Sequence, residues 1–181
     1  MATKLFLHDA LNVLNNLPPS EQSSLTSADD FDGQAETRSM DTTIGGAQRS
    51  IRNDSIAAPS ATDYYVGRWA SPALSTLGGT SIAAGTWTLN FAALESHLDA
   101  NFPVGGASAI HVNTYVWRPL TKTKVTAGTI FDGALTTSST ELGLANIERV
   151  VHGSFTGAAV ADVKDGDVLV VELWARVDQD A

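Results

Sequence analysis

Three carboxylates, Asp162, Asp165 and Asp167, fall within six residues. Oxygen ligands at that density suit a calcium ion. Their order departs from that of an EF-hand loop, however, and Lys164 stands among them. An Asp165-Gly166 turn running into a strand accounts for the same residues. Four histidines, His8, His97, His111 and His152, show neither the His-x-x-x-His nor the Cys/His spacing of a zinc site. His97 and Asp99 lie two apart on a candidate helix, so they do not share a face. His111 and His152 fall on different candidate strands, and only the fold could bring them together. Gly153-Ser154 lacks the Gly-x-Ser-x-Gly context of a nucleophile elbow. Gly78-Gly79 and Gly105-Gly106 lack the Lys-Ser or Lys-Thr that follows a phosphate loop. A glycosidase needs two placed carboxylates. Glu95, Glu148 and Glu172 are the candidates, and Glu172, beside Trp174, is the best placed. It reads first as a surface carboxylate. These patterns assign no catalytic residue, no cofactor and no metal, and the chain reads as a non-enzyme.

The tryptophans Trp69, Trp87, Trp117 and Trp174 all fall in candidate strands. By alternation Trp87 joins a core face, whereas Trp117 and Trp174 lie opposite the most apolar faces of their strands. Such aromatics serve a two-sided core, a subunit interface or a sugar-stacking site. Trp174 is the candidate contact with a partner, together with Arg38, Arg49 and Arg52 of the N-terminal segment.

The strand that must position Glu172 and Trp174 is the longest signal in the chain. From Asp165 to Val177 it opens on a turn and then alternates with period two. Leu169, Val171, Leu173, Ala175 and Val177 form a wholly apolar face. Val168, Val170, Glu172, Trp174 and Arg176 form a mixed face, the kind that meets water or a partner. Earlier strands are predicted at Lys4 to Leu7, Tyr64 to Ala70 (ended by Ser71-Pro72), Gly85 to Phe91, Ala109 to Arg118, Lys124 to Phe131 and Glu148 to Thr156. Leu120 to Thr123 should join two of them as a hairpin. Asp132-Gly133 reads as a turn, and Ala134 to Asn146 as a Ser/Thr-rich loop. Ala10 to Leu17 and Ala92 to Asn101 are the two candidate helical pieces. Seven or more strands with polar turns predict a mainly β fold, an antiparallel β-sandwich with at most one or two short helices.

With 181 residues, the chain fits one domain with an arm. Apolar residues make up 43% and charged residues only 17%, a balance that suits extended structure. Ser20 to Ser60 is polar, with Leu25, Phe31, Met40, Ile44, Ile51 and Ile56 standing far apart. Such a segment buries too little apolar surface to offset its own ordering entropy. It reads either as disordered or as an arm that orders across a neighbouring subunit. The division is residues 1–60, an N-terminal strand and polar arm, and 61–181, the β-sandwich. A net charge of −9 argues against nucleic acid or an anionic membrane as the main partner. There are no cysteines, so packing or partner subunits must hold the fold. The first residues read as no signal peptide, and no apolar run reaches the length of a membrane span. The expectation is a protein made and soluble in a cytoplasm.

Three pieces carry a family resemblance. They are Gly85-Thr86-Trp87-Thr88-Leu89-Asn90-Phe91; Tyr115-Val116-Trp117-Arg118-Pro119 with Gly128-Thr129-Ile130-Phe131-Asp132-Gly133; and Asp165-Gly166-Asp167-Val168-Leu169-Val170-Val171-Glu172. Over about residues 64 to 177 the chain resembles a group of tailed-bacteriophage virion proteins that includes capsid decoration (cement) proteins. Glu21-Gln22-Ser23-Ser24 and Arg38-Ser39-Met40 add a fainter likeness. The resemblance implies a jelly-roll-like β-sandwich, placement on the virion and a homo-oligomer, commonly a trimer. It also implies the major capsid protein as partner. None of these motifs is catalytic. The rival reading is a tail-associated or receptor-binding β-sandwich that recognises host glycans. A glycan hydrolase acting through Glu172 is the third.

Overall fold

A computed structural model describes residues 4–11, 37–42, 63–78, 80–93, 108–137 and 149–177. The fold is mainly β. Its strands are β1 (Phe6–Leu11), β2 (Arg38–Asp41), β3 (Asp63–Ala73), β4 (Gly85–Ala93), β5 (Ser108–Arg118), β6 (Thr123–Ala134), β7 (Thr136–Thr137), β8 (Arg149–Gly157) and β9 (Val168–Val177). A short 3-10 turn at Leu74–Leu77 follows β3. One sheet has six strands in the order β1-β2-β3-β9-β5-β6, and the other has three in the order β4-β8-β7. Every pairing is antiparallel except β2 with β3, which is parallel.

The last strand occupies the middle of the large sheet, flanked by β3 and β5. Its apolar face works as the alternation predicts. Leu169, Val171 and Leu173 join Val112 and Val116 of β5, Trp69 of β3 and Met40 of β2 in the main core. Phe155 of the small sheet completes the same cluster, with Trp87 and Leu89 packed against it. On β4, Trp87 and Leu89 are half-buried while Thr86, Thr88 and Asn90 are exposed, as expected of a half-buried strand. The mixed face of β9 departs from expectation. Val168 and Val170 are fully buried in a second cluster with Ala70, Tyr115 and Trp117, and Glu172 is buried as well. Both faces of β9 are therefore dry along Val168 to Leu173.

Aromatic stacking joins the two sheets. Phe155 of β8 stacks on Phe131 of β6 with centroids 4.4 Å apart, and on Trp87 of β4 at 6.0 Å. Offset stacks of this kind add to the gain from burial alone. Two glycines of β8 permit the approach. A Cβ at Gly157 would collide with Ile130 of β6, across the sheets, as well as with the Trp87 indole, and one at Gly153 would collide with Leu135, between β6 and β7. The backbone also crosses between sheets, where the Ala158 N–H donates to the Ile130 carbonyl at 2.8 Å.

Several strand ends differ from the sequence expectation, each for a local reason. β3 does not stop at Ser71-Pro72 but runs on to Ala73 through an irregularity after Ala70. Pro72 has no N–H to offer. Across the same irregularity the Leu169 N–H donates to the Ser71 hydroxyl at 3.0 Å, a side-chain contact that keeps β3 attached to β9. Asp132-Gly133 lies within β6 rather than in a turn, paired with Asn113 and Val112. β6 is bulged instead at Ala127 (φ 53°) and Gly128. Ala10 and Leu11 continue β1 and do not start a helix. Ala92 and Ala93 likewise belong to β4, and the rest of that candidate helix lies outside the described residues. Thr136–Thr137, read as loop, forms β7 against β8. The hairpin at Leu120 to Thr123 forms as predicted, closing on the Arg118–Thr123 pair. Asp165-Gly166 is a turn, with Gly166 at φ +83° and the Asp167 N–H donating to the Lys164 carbonyl at 3.1 Å, as in a type II turn.

Gly153→Ala should lower stability by about 1–3 kcal/mol, the usual cost of overpacking. Gly85→Ala, where a new Cβ meets nothing within 4 Å, should leave stability unchanged or raise it by up to about 1 kcal/mol. Urea denaturation of the two variants measures both. Equal losses would show that the close approach of Gly153 to Leu135 is not what sets the sheet spacing.

Candidate functional site

The polar residues of the large sheet gather on the face of β9 that carries Glu172. In register across the strands, Arg68 of β3 lies opposite Glu172, and Asn113 of β5 lies on its other side. Arg68 and Glu172 are 1% and 2% exposed, and Arg68 Nη1 stands 3.7 Å from Glu172 Oε1. The same oxygen accepts the Tyr115 hydroxyl at 2.8 Å, while Oε2 accepts Asn113 Nδ2 at 3.1 Å. Arg68 Nε donates to Thr37 Oγ1 at 2.8 Å. A buried charge is tolerated when it is both paired and hydrogen-bonded, and this one is. The network binds four strands, or the residue just before one, around a single carboxylate.

Next along this face, His111 Nε2 lies 2.8 Å from Asp132 Oδ1, and Trp174 pairs across strands with His111. His111 and Trp174 are half-buried and Asp132 is exposed. The Lys124 ammonium sits 4.7 Å above the Tyr115 ring, a cation–π distance.

A second charged group closes one end of β9. Arg118 donates through Nε and Nη2 to the two oxygens of Asp167, at 2.9 and 2.8 Å. Asp167 is fully buried, and its Oδ2 also accepts the Lys164 N–H at 2.8 Å. Arg118 Nη2 reaches the Asp162 carbonyl, and Nη1 lies 3.5 Å from the Asp162 carboxylate. The hydrogen bond to Asp167 is the main reason the Arg118 guanidinium is held above its ordinary range, so it stays charged at any working pH. Fork-to-fork pairing of this kind gives direction as well as strength. Asp165 accepts the Ser75 hydroxyl at 2.6 Å.

These contacts revise the sequence reading of the carboxylates. Glu172 is not a surface group: it is buried, with both oxygens engaged in hydrogen bonds. Of the three aspartates considered for calcium, Asp167 is engaged by Arg118 and the Lys164 N–H, and the turn reading describes the loop. Among the described residues, no group of three or more His, Cys, Asp or Glu side chains is placed to hold a metal ion. His111 and His152 lie on different sheets. Trp117, assigned by alternation to the mixed face, is buried against Val168 and Val170. Trp69 is in the main core. Trp174 keeps partial exposure. Arg38 lies on β2 in register with Leu11 and Trp69. Arg49, Arg52, His97, Asp99, Glu95 and Glu148 lie outside the described residues.

Sequence reasoning missed Arg68, Tyr115, Asn113 and Thr37 as a unit. One signal was available: a lone Arg in one apolar strand and a lone Glu in another can share a sheet only by pairing. Which strands are adjacent was not legible. Comparison with models of known families, with curated proteins and with solved structures finds no match.

Glu172→Leu should destabilise the protein by about 3–5 kcal/mol, because it strands the buried Arg68 charge. Adding Arg68→Met to Glu172→Leu should recover most of that loss. Denaturant midpoints of the single and double variants test the pair. A double variant no more stable than the single would locate the loss in the Tyr115 and Asn113 bonds.

Proposed function

We propose that this protein is a non-enzymatic virion structural protein, a decoration (cement) protein that binds and stabilises a bacteriophage capsid shell. Its platform on this reading is a jelly-roll-like β-sandwich. The observation that carries the proposal is the nesting of the strand pairs. β5 pairs with β6, β4 with β8 and β3 with β9, each pair enclosing the one before it in the chain. Three nested pairs of this kind support the jelly-roll-like reading, whose strands wrap from the middle of the chain outward. It agrees with the resemblance carried by the segments around Trp87, Trp117 and Glu172. The partner is the major capsid protein, and the protein acts as a homo-oligomer, with a trimer favoured by the resemblance. It is made in the host cytoplasm and resides on the virion.

The internal polar groups support a binding role over a catalytic one. Glu172 and Asp167 are engaged within the sheet, so recognition falls to surfaces and to the N-terminal segment. The exposed hairpin tip carries Leu120, 89% exposed. A second reading, a tail-associated module that recognises host glycans, is favoured by one feature: half-buried Trp174 next to the His111–Asp132 pair. An aromatic face beside polar groups is what sugar stacking uses.

Mass-spectrometric quantification of purified virions against the major capsid protein tests the proposal. The expected result is one copy per capsid subunit or per few subunits. A handful of copies per particle would instead favour the glycan-binding reading, to be followed on a glycan array. Absence from virions would overturn both.

A further inference from the structure

β1 and β2 are attached to the large sheet differently from the other strands. They pair with each other, with Phe6 opposite Asp41 and Leu11 opposite Arg38. They then dock on the rest through the parallel register of Arg38 with Trp69 and Ser39 with Ala70. In the chain, 21 residues separate Asp41 of this unit from Asp63 of β3, and 25 separate Leu11 of β1 from Thr37, just before β2. The contacts they supply are nonetheless part of the interior. Met40, 2% exposed, belongs to the main core, with Leu5 and Leu7 packed against it. Thr37 Oγ1 takes the Arg68 Nε–H at 2.8 Å, so the buried ion pair is complete only when this unit is in place. Taken away, it would leave β3 as an open edge, and such an edge is a template for a further strand.

We infer that the β3 edge is an acceptor site for the β1–β2 unit of a second copy of this chain. The two-strand unit is exchanged between subunits when copies are held close together. Exchange substitutes identical contacts, so it costs nothing in packing or hydrogen bonding. The decision falls to the linker. Its 21 residues span up to about 70 Å when extended, whereas a chain of this length folds to a radius of gyration of roughly 16 Å. The unit can thus reach an adjoining subunit. A linker of this length also gives its own chain an effective concentration of about millimolar order. Closure within one chain therefore prevails in dilute solution, and exchange prevails where neighbours are at least as concentrated, as in a symmetric assembly. This inference does not depend on the virion reading, since the acceptor and the donor are both on this chain.

The absence of cysteine makes a clean test available. Ser39→Cys and Ala70→Cys are made in separate full-length chains, placing one thiol on each side of the β2–β3 pair. The two variants are unfolded together, refolded at millimolar concentration and oxidised. A disulfide-linked species containing one chain of each variant is the expected result, with at least tenfold less of it after refolding at micromolar concentration. The same pair in one chain gives a within-chain disulfide when refolded dilute, which verifies the register and that the variants fold. Unmodified protein refolded at millimolar concentration should yield a dimer that survives dilution. A within-chain disulfide in the double variant, with no mixed species and no dimer of the unmodified chain, overturns the proposal. So does failure of the double variant to crosslink at all, because it removes the pairing on which the site rests.

Discussion

The position of β9 between β3 and β5 is set by two carboxylates, each answered by an arginine from a different side. Glu172 takes Arg68 of β3, and Asp167, at the entrance to the strand, takes Arg118 of β5. A one-residue slip of a strand turns every side chain to the opposite face. In a strand that is apolar on both faces, hydrophobic patterning is a weak guard against such a slip, because valine and leucine are tolerated either way. A carboxylate is not. Displaced by one residue, Glu172 would enter the main core among Val112, Val116 and Trp69, and Arg68 would be left behind. The charges therefore specify the register of the central strand against both neighbours at once. Their net contribution to stability is smaller than their contribution to uniqueness, since desolvation offsets much of the attraction.

The joining of the two sheets relies on the opposite kind of interaction. Phe131, Phe155 and Trp87 form a continuous stack, and the spacing is fixed by absences, the missing side chains of Gly153 and Gly157. Asp167 links this apolar interior to the ends of the strands. Its carbonyl accepts the Leu74 N–H at 2.7 Å, while its carboxylate holds Arg118 and the Lys164 N–H. The end of β3, the end of β5 and the loop before β9 thus converge on one residue. Isolated pairs on the surface of a sheet are worth little. A buried acceptor shared among three segments couples them, and loosening any one exposes the others.

Much of this was legible in the sequence where period-two alternation met a one-sided environment. β4 is the clearest case: Trp87 and Leu89 inward, Thr86 and Thr88 outward. The hairpin at Leu120 and the turn at Asp165-Gly166 were equally plain, because turn chemistry is local. What was not legible depended on contacts distant in sequence. Alternation says that Val168, Val170 and Glu172 share a face but not what covers it. β2 has a single large apolar residue, Met40, and no propensity that would mark a strand. It forms because β1 and β3 offer a place for it. Ser71-Pro72 looked like a stop because a proline usually ends a ladder. The hydroxyl beside it accepts the Leu169 N–H, from a strand whose proximity no local rule could supply.

The same facts bear on how a chain of this kind would bind. Among the described residues, Glu172, Arg68 and Asp167 are turned inward and occupied, so a partner would meet what remains. That surface includes the hairpin tip with Leu120 and Lys122, the Trp174–His111–Asp132 row and the strand edges. The tip is braced at its base by the Arg118 fork and across its turn by the Thr121–Thr123 hydroxyl bond at 2.7 Å. A braced tip loses little freedom on binding, and that reduces the entropic cost of a contact. Each such contact is modest by itself. Repetition on a symmetric lattice converts modest contacts into firm attachment, because engagement at one site raises the effective concentration at the next. For the proposed decoration role, a rigid interior with small, repeated surface contacts is the more economical design than one deep pocket, since a shell offers the same weak site many times over.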